Sequence, residues 1–200
     1  MRPNPADAGK RRTVLVFCGS RAGSNPRFAQ EARQLGRRLG EAGYGIVTGG
    51  SQHGLMGAVT DGALEAGVLT TGFVPVYIAS MQETHSSLER TVIVDSLADR
   101  KTMMFNASDI CVALPGAIGT MDEIMETLVL RELKQHTRPV VVVDIDRYWE
   151  PMFTMLERMV EQEFLPDILD SIVVKVDSAE AAVQAVSEQL ATPDSVVRGG

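Results

Sequence analysis

Asp109-Ile110-Cys111-Val112-Ala113-Leu114-Pro115-Gly116-Ala117-Ile118-Gly119-Thr120-Met121-Asp122-Glu123 is the stretch that decides the fold. Residues 109–114 have the length and β-branched content of a buried strand. Pro115-Gly116 stops it with a turn signal. Thr120 is expected to cap a helix, because Glu123, Glu126, Leu128 and Leu133 follow at helical spacing. A strand, a tight glycine turn and a helix start leave backbone N–H groups free at the carboxyl edge of a sheet. With the helix dipole, those donors suit a phosphate. Glu123 lies one turn into the same helix, which predicts chemistry on a phosphorylated small molecule.

Working outward, the same grammar repeats. Thr13–Cys18, Gly45–Thr48, Leu69–Val74, Thr91–Val94, Pro139–Val143 and Ser171–Val174 read as further strands. Between them, Phe28, Ala32, Leu35 and Leu39 mark one helix, closed by Gly43. A second ends at Gly67, a third spans Leu97–Ser108, a fourth Tyr148–Glu163, and Ser178-Ala179-Glu180 opens the last. Alternating strands and helices predict an α/β, Rossmann-like, doubly wound fold: a largely parallel sheet with helices on both faces. Residues 1–12 read as a disordered leader, 13–192 as the one domain, and 193–200 as a frayed tail. The turns after Cys18, Thr48, Val74 and Leu114 all fall at strand carboxyl ends, where such folds bind ligands. Residues 76–90, polar and irregular, read as a loop over that face.

Composition narrows the function. A net charge of −7 and a pI near 5.0 argue against a nucleic-acid partner. The basic Arg2, Lys10, Arg11 and Arg12 sit in a segment without the apolar core of a signal peptide, and the longest apolar runs are too short to span a bilayer. A cytoplasmic protein with no membrane partner is expected. Cys18 and Cys111 read as buried strand thiols, with a disulfide between them left open. His53, His85 and His136 lack metal-ligand spacing, so no metal is expected. No GxGxxG follows the first strand, no P-loop is present, and no Gly-x-Ser-x-Gly appears, which disfavours dinucleotide binding and serine hydrolysis. Four glycines in Gly49–Gly57 exceed what a turn needs and mark a close backbone approach, to a ligand or to a helix. Arg100, near a helix start after a strand, could hold a phosphate or carboxylate bidentately. Met103, Met104, Met121 and Met125 suit a core or a subunit interface.

Three segments carry a resemblance from about Val14 to Leu190. They are Gly49-Gly50-Ser51-Gln52-His53-Gly54-Leu55-Met56-Gly57, Leu97-Ala98-Asp99-Arg100-Lys101 and Pro115-Gly116-Ala117-Ile118-Gly119-Thr120-Met121-Asp122-Glu123. In order and spacing they are similar to the marks of the LONELY GUY (LOG) family of cytokinin-activating nucleoside 5′-monophosphate phosphoribohydrolases, often labelled "possible lysine decarboxylase". Val16-Phe17-Cys18-Gly19-Ser20 resembles the family's opening strand and turn. The resemblance implies hydrolysis of an N-glycosidic bond to a free base and ribose 5-phosphate. It implies Arg100 and Glu123 as the catalytic pair, and Gly116, Gly119 and Thr120 as the phosphate seat, with Ser20 lining the pocket. Gly49, Gly50, Lys101 and Pro115 complete the implied substrate-binding set. No cofactor is implied, and a homodimer is.

The chain also departs from the family pattern. Ala117 and Ser51 replace glycines, Ala98 and Asp99 stand for His and Glu, and Leu130 for a tryptophan. The Ala117 methyl is expected to penalise positive φ. A pyridoxal-phosphate decarboxylase is disfavoured, since Lys101 is the one central lysine and no ring-nitrogen partner is evident. Two alternatives stay open: a carrier that binds a nucleotide or pterin without hydrolysis, and an enzyme that transfers the ribosyl group to another base.

Overall fold

The computed structural model describes residues 11–68, 70–81, 83–137 and 140–191. The leader expected over residues 1–12 and the tail over 193–200 lie outside these, apart from Arg11 and Arg12. Arg12 is already tied into the fold: its guanidinium pairs with Asp109 at 3.0 Å, and its carbonyl accepts from Gly45 N at 2.9 Å.

In chain order the elements are β1 (Thr13–Phe17), α1 (Pro26–Glu41), β2 (Gly45–Thr48), α2 (Gly54–Glu65), β3 (Thr70–Pro75) and α3 (Val76–Ala79). Then come β4 (Arg90–Val94), α4 (Leu97–Asn106), β5 (Ile110–Ala113), α5 (Ile118–Glu132) and β6 (Val140–Val143). The chain closes with α6 (Glu150–Glu161), α7 (Leu169–Ile172), β7 (Val174–Val176) and α8 (Ala179–Ala191). All strand pairs are parallel, and the sheet runs β4-β3-β2-β1-β5-β6-β7. Strand order therefore reverses between β1 and β5, where Val14 pairs with Ile110 and Phe17 with Ala113.

Both faces are covered at the centre of the sheet, so β5 and β6 and nearly all of β1 are apolar without interruption, and the alternation of residues along them sorts them into two cores. Val14, Val16, Ile110, Val112, Val141 and Val143 pack with Leu35 and Leu39 of α1, Val59 of α2 and Val186 of α8. Leu15, Phe17, Cys111, Ala113, Val140 and Val142 pack with Met104 of α4, Ile124 and Leu128 of α5, and Phe153 and Leu156 of α6. Cys18 and Cys111 are buried, and no disulfide joins them. Of Met103, Met104, Met121 and Met125, Met104 is core, Met125 packs against that core, and Met103 and Met121 reach the surface.

Three local expectations change. Gly43 and Gly67 do adopt positive φ past their helices, +85° and +68°. Ser171–Val174, however, is not a strand. Val173 N bonds back to Leu169 O, so Leu169–Ile172 coils into α7, and pairing with β6 begins at Val174 opposite Val141. Thr120 is not the cap of α5 but lies inside its first turn, with Ala117 at the N-cap. The irregular 76–90 segment contains the short α3, and Thr84 forms an antiparallel bridge to Ser51.

Candidate active site

The turns that follow β1, β2, β3 and β5 meet in one cleft. Its lining includes Gly19 and Ser20 after β1, Gly49, Gly50 and Ser51 after β2, and Val74 at the end of β3. Ala117, Gly119, Thr120 and Glu123 enter from α5 and Arg100 from α4. Tight stitching holds the switch point between β1 and β5 together. Gly19 N donates to Pro115 O at 3.0 Å, Leu114 N to Phe17 O at 2.9 Å, and Leu55 N to Gly19 O at 3.0 Å. Gly116 has no room for a side chain: a Cβ there would lie 2.1 Å from Thr120 Oγ1 and 2.9 Å from Gly19 N.

The start of α5 is chemically open. Asn25 and Ser96 cap α1 and α4 by accepting from Arg27 N and Asp99 N, whereas Ala117 at the N-cap of α5 accepts nothing through its side chain. The first-turn N–H groups of α5 are thus left for a ligand. Ala117 has φ −96°, extended backbone that alanine adopts readily, so the expected penalty for its methyl group does not arise. Ser51, the other glycine replacement, is buried and its Oγ accepts from His53 N at 3.2 Å. Asp99 closes the α4 cap, its Oδ2 taking a 2.6 Å hydrogen bond from Ser96 Oγ.

Arg100 and Glu123 face the same space. Gly49 makes room for the guanidinium, since a Cβ at that position would lie 1.7 Å from one terminal nitrogen of Arg100. Arg100 Nε is buried without a hydrogen-bond partner among the described residues. Glu123 is only 9% exposed. Burial pushes its carboxyl up to about 7, with Asp122 and Glu126 adding to the rise and Arg100 and Lys101 opposing it. Beneath them lies Cys18, whose thiol is driven far up by burial and by Glu123, against a smaller pull from Arg100. A largely protonated thiol of this kind is a poor nucleophile.

Of the ten site residues expected from sequence, seven line the cleft: Ser20, Gly49, Gly50, Arg100, Gly119, Thr120 and Glu123. Pro115 and Gly116 sit behind it as the frame of the turn. Lys101 lies elsewhere. Its Nζ is 2.8 Å from Asp122 Oδ2 and 2.5 Å from Glu126 Oε2, and its stem lines a second, more apolar cavity with Phe17, Phe105, Thr127 and Leu130. Being one residue past Arg100 turns it by about 100° around α4, away from the cleft. Glu123 borders both cavities.

Sequence reasoning missed Met56, Ile78, Glu83 and Thr84, which also line the cleft. The run after Pro75 marked the segment of Ile78, Glu83 and Thr84 but not their side chains, and Met56 stood unassigned in the Gly49–Gly57 run. The position of Glu83 and Thr84 depends on the strap 83–85, where Gln52 N donates to Glu83 O at 3.2 Å and His85 N to Gly50 O at 2.9 Å.

The chain matches the family model described as "Possible lysine decarboxylase" over residues 56–186. It is 31% identical to a probable cytokinin riboside 5′-monophosphate phosphoribohydrolase of Oryza sativa subsp. japonica, over 96% of this chain and 84% of that protein. It is 30% identical to the cytokinin riboside 5′-monophosphate phosphoribohydrolase of Rhodococcoides fascians, over 92% and 91%. Among solved structures it resembles the molybdenum cofactor carrier protein of Chlamydomonas reinhardtii, with TM-score 0.72, 22% identity, and 92% and 100% of the two chains covered. That last likeness is one of fold. By the matched model and by its extent of identity to these relatives, the chain belongs to the possible-lysine-decarboxylase family, the LOG family of its sequence motifs.

Proposed function

We propose that the protein hydrolyses the N-glycosidic bond of a nucleoside 5′-monophosphate, releasing the free base and ribose 5-phosphate. The observation that carries this reading is the meeting of a buried carboxylate, Glu123, and a guanidinium, Arg100, in one cleft whose floor is the uncapped start of α5. The names of the relatives supply the substrate class.

In this reading the 5′-phosphate sits on the N–H groups of Gly119 and Thr120, beside Ser20. The C1′–N bond breaks with its electron pair leaving on the base, and positive charge develops on the ribose. Ionised Glu123 stabilises that charge and takes a proton from the water whose oxygen adds to C1′. The base takes up a proton from solvent and Glu123 returns the water's proton to solvent, so that one water is consumed per bond broken. Arg100, held over Gly49, orients the substrate and balances the anionic charge that gathers in the cleft.

The reading extends to assembly and location. Ile118, Met121, Met125 and Val129 of α5 and Leu133 at its C-cap repeat at helical spacing, and all but the partly buried Met125 are exposed. This stripe supports a homodimer formed beside the cleft. A nucleotide substrate supports a cytoplasmic location; among the described residues no helix is long and apolar enough to cross a membrane.

The test is ribose 5-phosphate release from a panel of purine and N6-substituted adenine monophosphates. Glu123→Gln and Arg100→Ala should each lower kcat/KM by about 100-fold or more. A protein that binds one of these nucleotides tightly and releases nothing would instead be a carrier, and one that releases product only when a second base is added would be a ribosyl transferase.

A further inference from the structure

Glu123 has carboxylate neighbours on its own helix, Asp122 one residue before it and Glu126 one turn after. The negative charges of Asp122 and Glu126 raise the affinity of the buried Glu123 for a proton. Lys101 Nζ sits between the outer two, 2.8 Å from Asp122 and 2.5 Å from Glu126, with its side chain only 23% exposed. An ammonium held by two carboxylates is not available to bind a substrate phosphate, and Lys101 does not line the cleft. We propose that Lys101 is a positioning residue: by closing on Asp122 and Glu126 it screens Glu123 from its anionic neighbours and lets that carboxylate ionise at neutral pH.

The groups that act on Glu123 are few, and Glu83 of the strap lines the same cleft. Arg100 and Lys101 come from α4, Cys18 from the end of β1, and Asp122 and Glu126 from α5 itself. Arg100 and Lys101 favour the ionised form, Asp122 and Glu126 oppose it, and the Cys18 thiol carries no charge near neutrality. Removing Lys101 leaves one cation against two anions around a desolvated carboxylate. Glu123 then keeps its proton to higher pH.

The kinetic part of the test rests on the hydrolase reading; the spectroscopic part does not. In Lys101→Met the acid limb of kcat/KM against pH should move up by about one pH unit. Adding Asp122→Asn and Glu126→Gln to Lys101→Met should bring it back, and Lys101→Arg alone should hardly move it. Carbon-13 NMR titration of the glutamate carboxyls, with the Glu123 signal identified by its loss in Glu123→Gln, should show the same displacement without substrate. An unmoved Glu123 titration, or a loss of kcat/KM that is equal at every pH, overturns the proposal. Absence of ribose 5-phosphate release in the unaltered protein would overturn the hydrolase reading alone, and the NMR displacement would still decide the role of Lys101.

Discussion

At the scale of single residues, Glu123 and Ala117 each give up local stability for the cleft. A carboxyl whose pKa rises from 4.5 to about 7 on folding binds a proton more tightly in the native state. The stability this contributes is fully present below about pH 4.5 and is lost as pH rises through 7. Glu123→Gln, which cannot ionise, should therefore stabilise the protein at pH 8 by about 1–3 kcal/mol and much less at pH 5. Urea unfolding at the two pH values measures the difference, and equal effects would contradict the buried, costly carboxylate described here. Ala117 leaves the start of α5 uncapped. Ala117→Ser should raise stability by about 1 kcal/mol through a new cap. The same serine would compete with a phosphate for those N–H groups, so inhibition by inorganic phosphate should weaken as the melting temperature rises. Ala117, a departure from the family glycine, was visible in the sequence; its harmlessness was not, because φ at that position follows from how Pro115 and Gly116 pack against Gly19.

At the scale of elements, α1 and α2 approach so closely that glycine is obligatory at their contact. A Cβ on Gly36 would lie 2.0 Å from Val59 O, and one on Gly62 2.0 Å from Arg33 O. Both clashes are with backbone, which cannot rotate away. Gly36→Ala should cost about 1–3 kcal/mol, read as a lower urea midpoint with an unchanged m-value. α2 carries Gly54, Leu55 and Met56 at its start, so a shifted α2 would also disturb the Gly19 turn that accepts from Leu55 N. The elements themselves were largely legible, since strands buried on both faces are unbroken apolar runs. β7 was the exception. Ser171-Ile172-Val173-Val174 has strand composition, yet strand and helix propensities differ by little over four residues, and the distant partner Val141 decides where pairing begins.

At the scale of the whole molecule, reversal of strand order between β1 and β5 opens the crevice, and four separate turns converge on it. The apolar stripe of α5 runs outward from the same place. Sedimentation should give about twice the 21.6 kDa of one chain, and Val129→Glu should shift the protein to the monomer. A monomeric unaltered protein would refute the dimer and leave the cleft chemistry untouched.

The sequence by itself determined the α/β class, the order of the strands along the chain, the four turns at the carboxyl ends and the pairing of Arg100 with Glu123, because each is written in local spacing or in a motif. Tertiary structure decided the rest. Lys101 stands next to Arg100 in the chain, but one residue of helical rotation sends it to Asp122 and Glu126 instead of the cleft. Glu83 and Thr84 reach the cleft through a strap tied to residues some thirty positions earlier. The proton affinity of Glu123 depends on burial among groups from β1, α4 and α5. Direction around a helix and distance through space arise when the chain closes on itself, and local pattern carries neither.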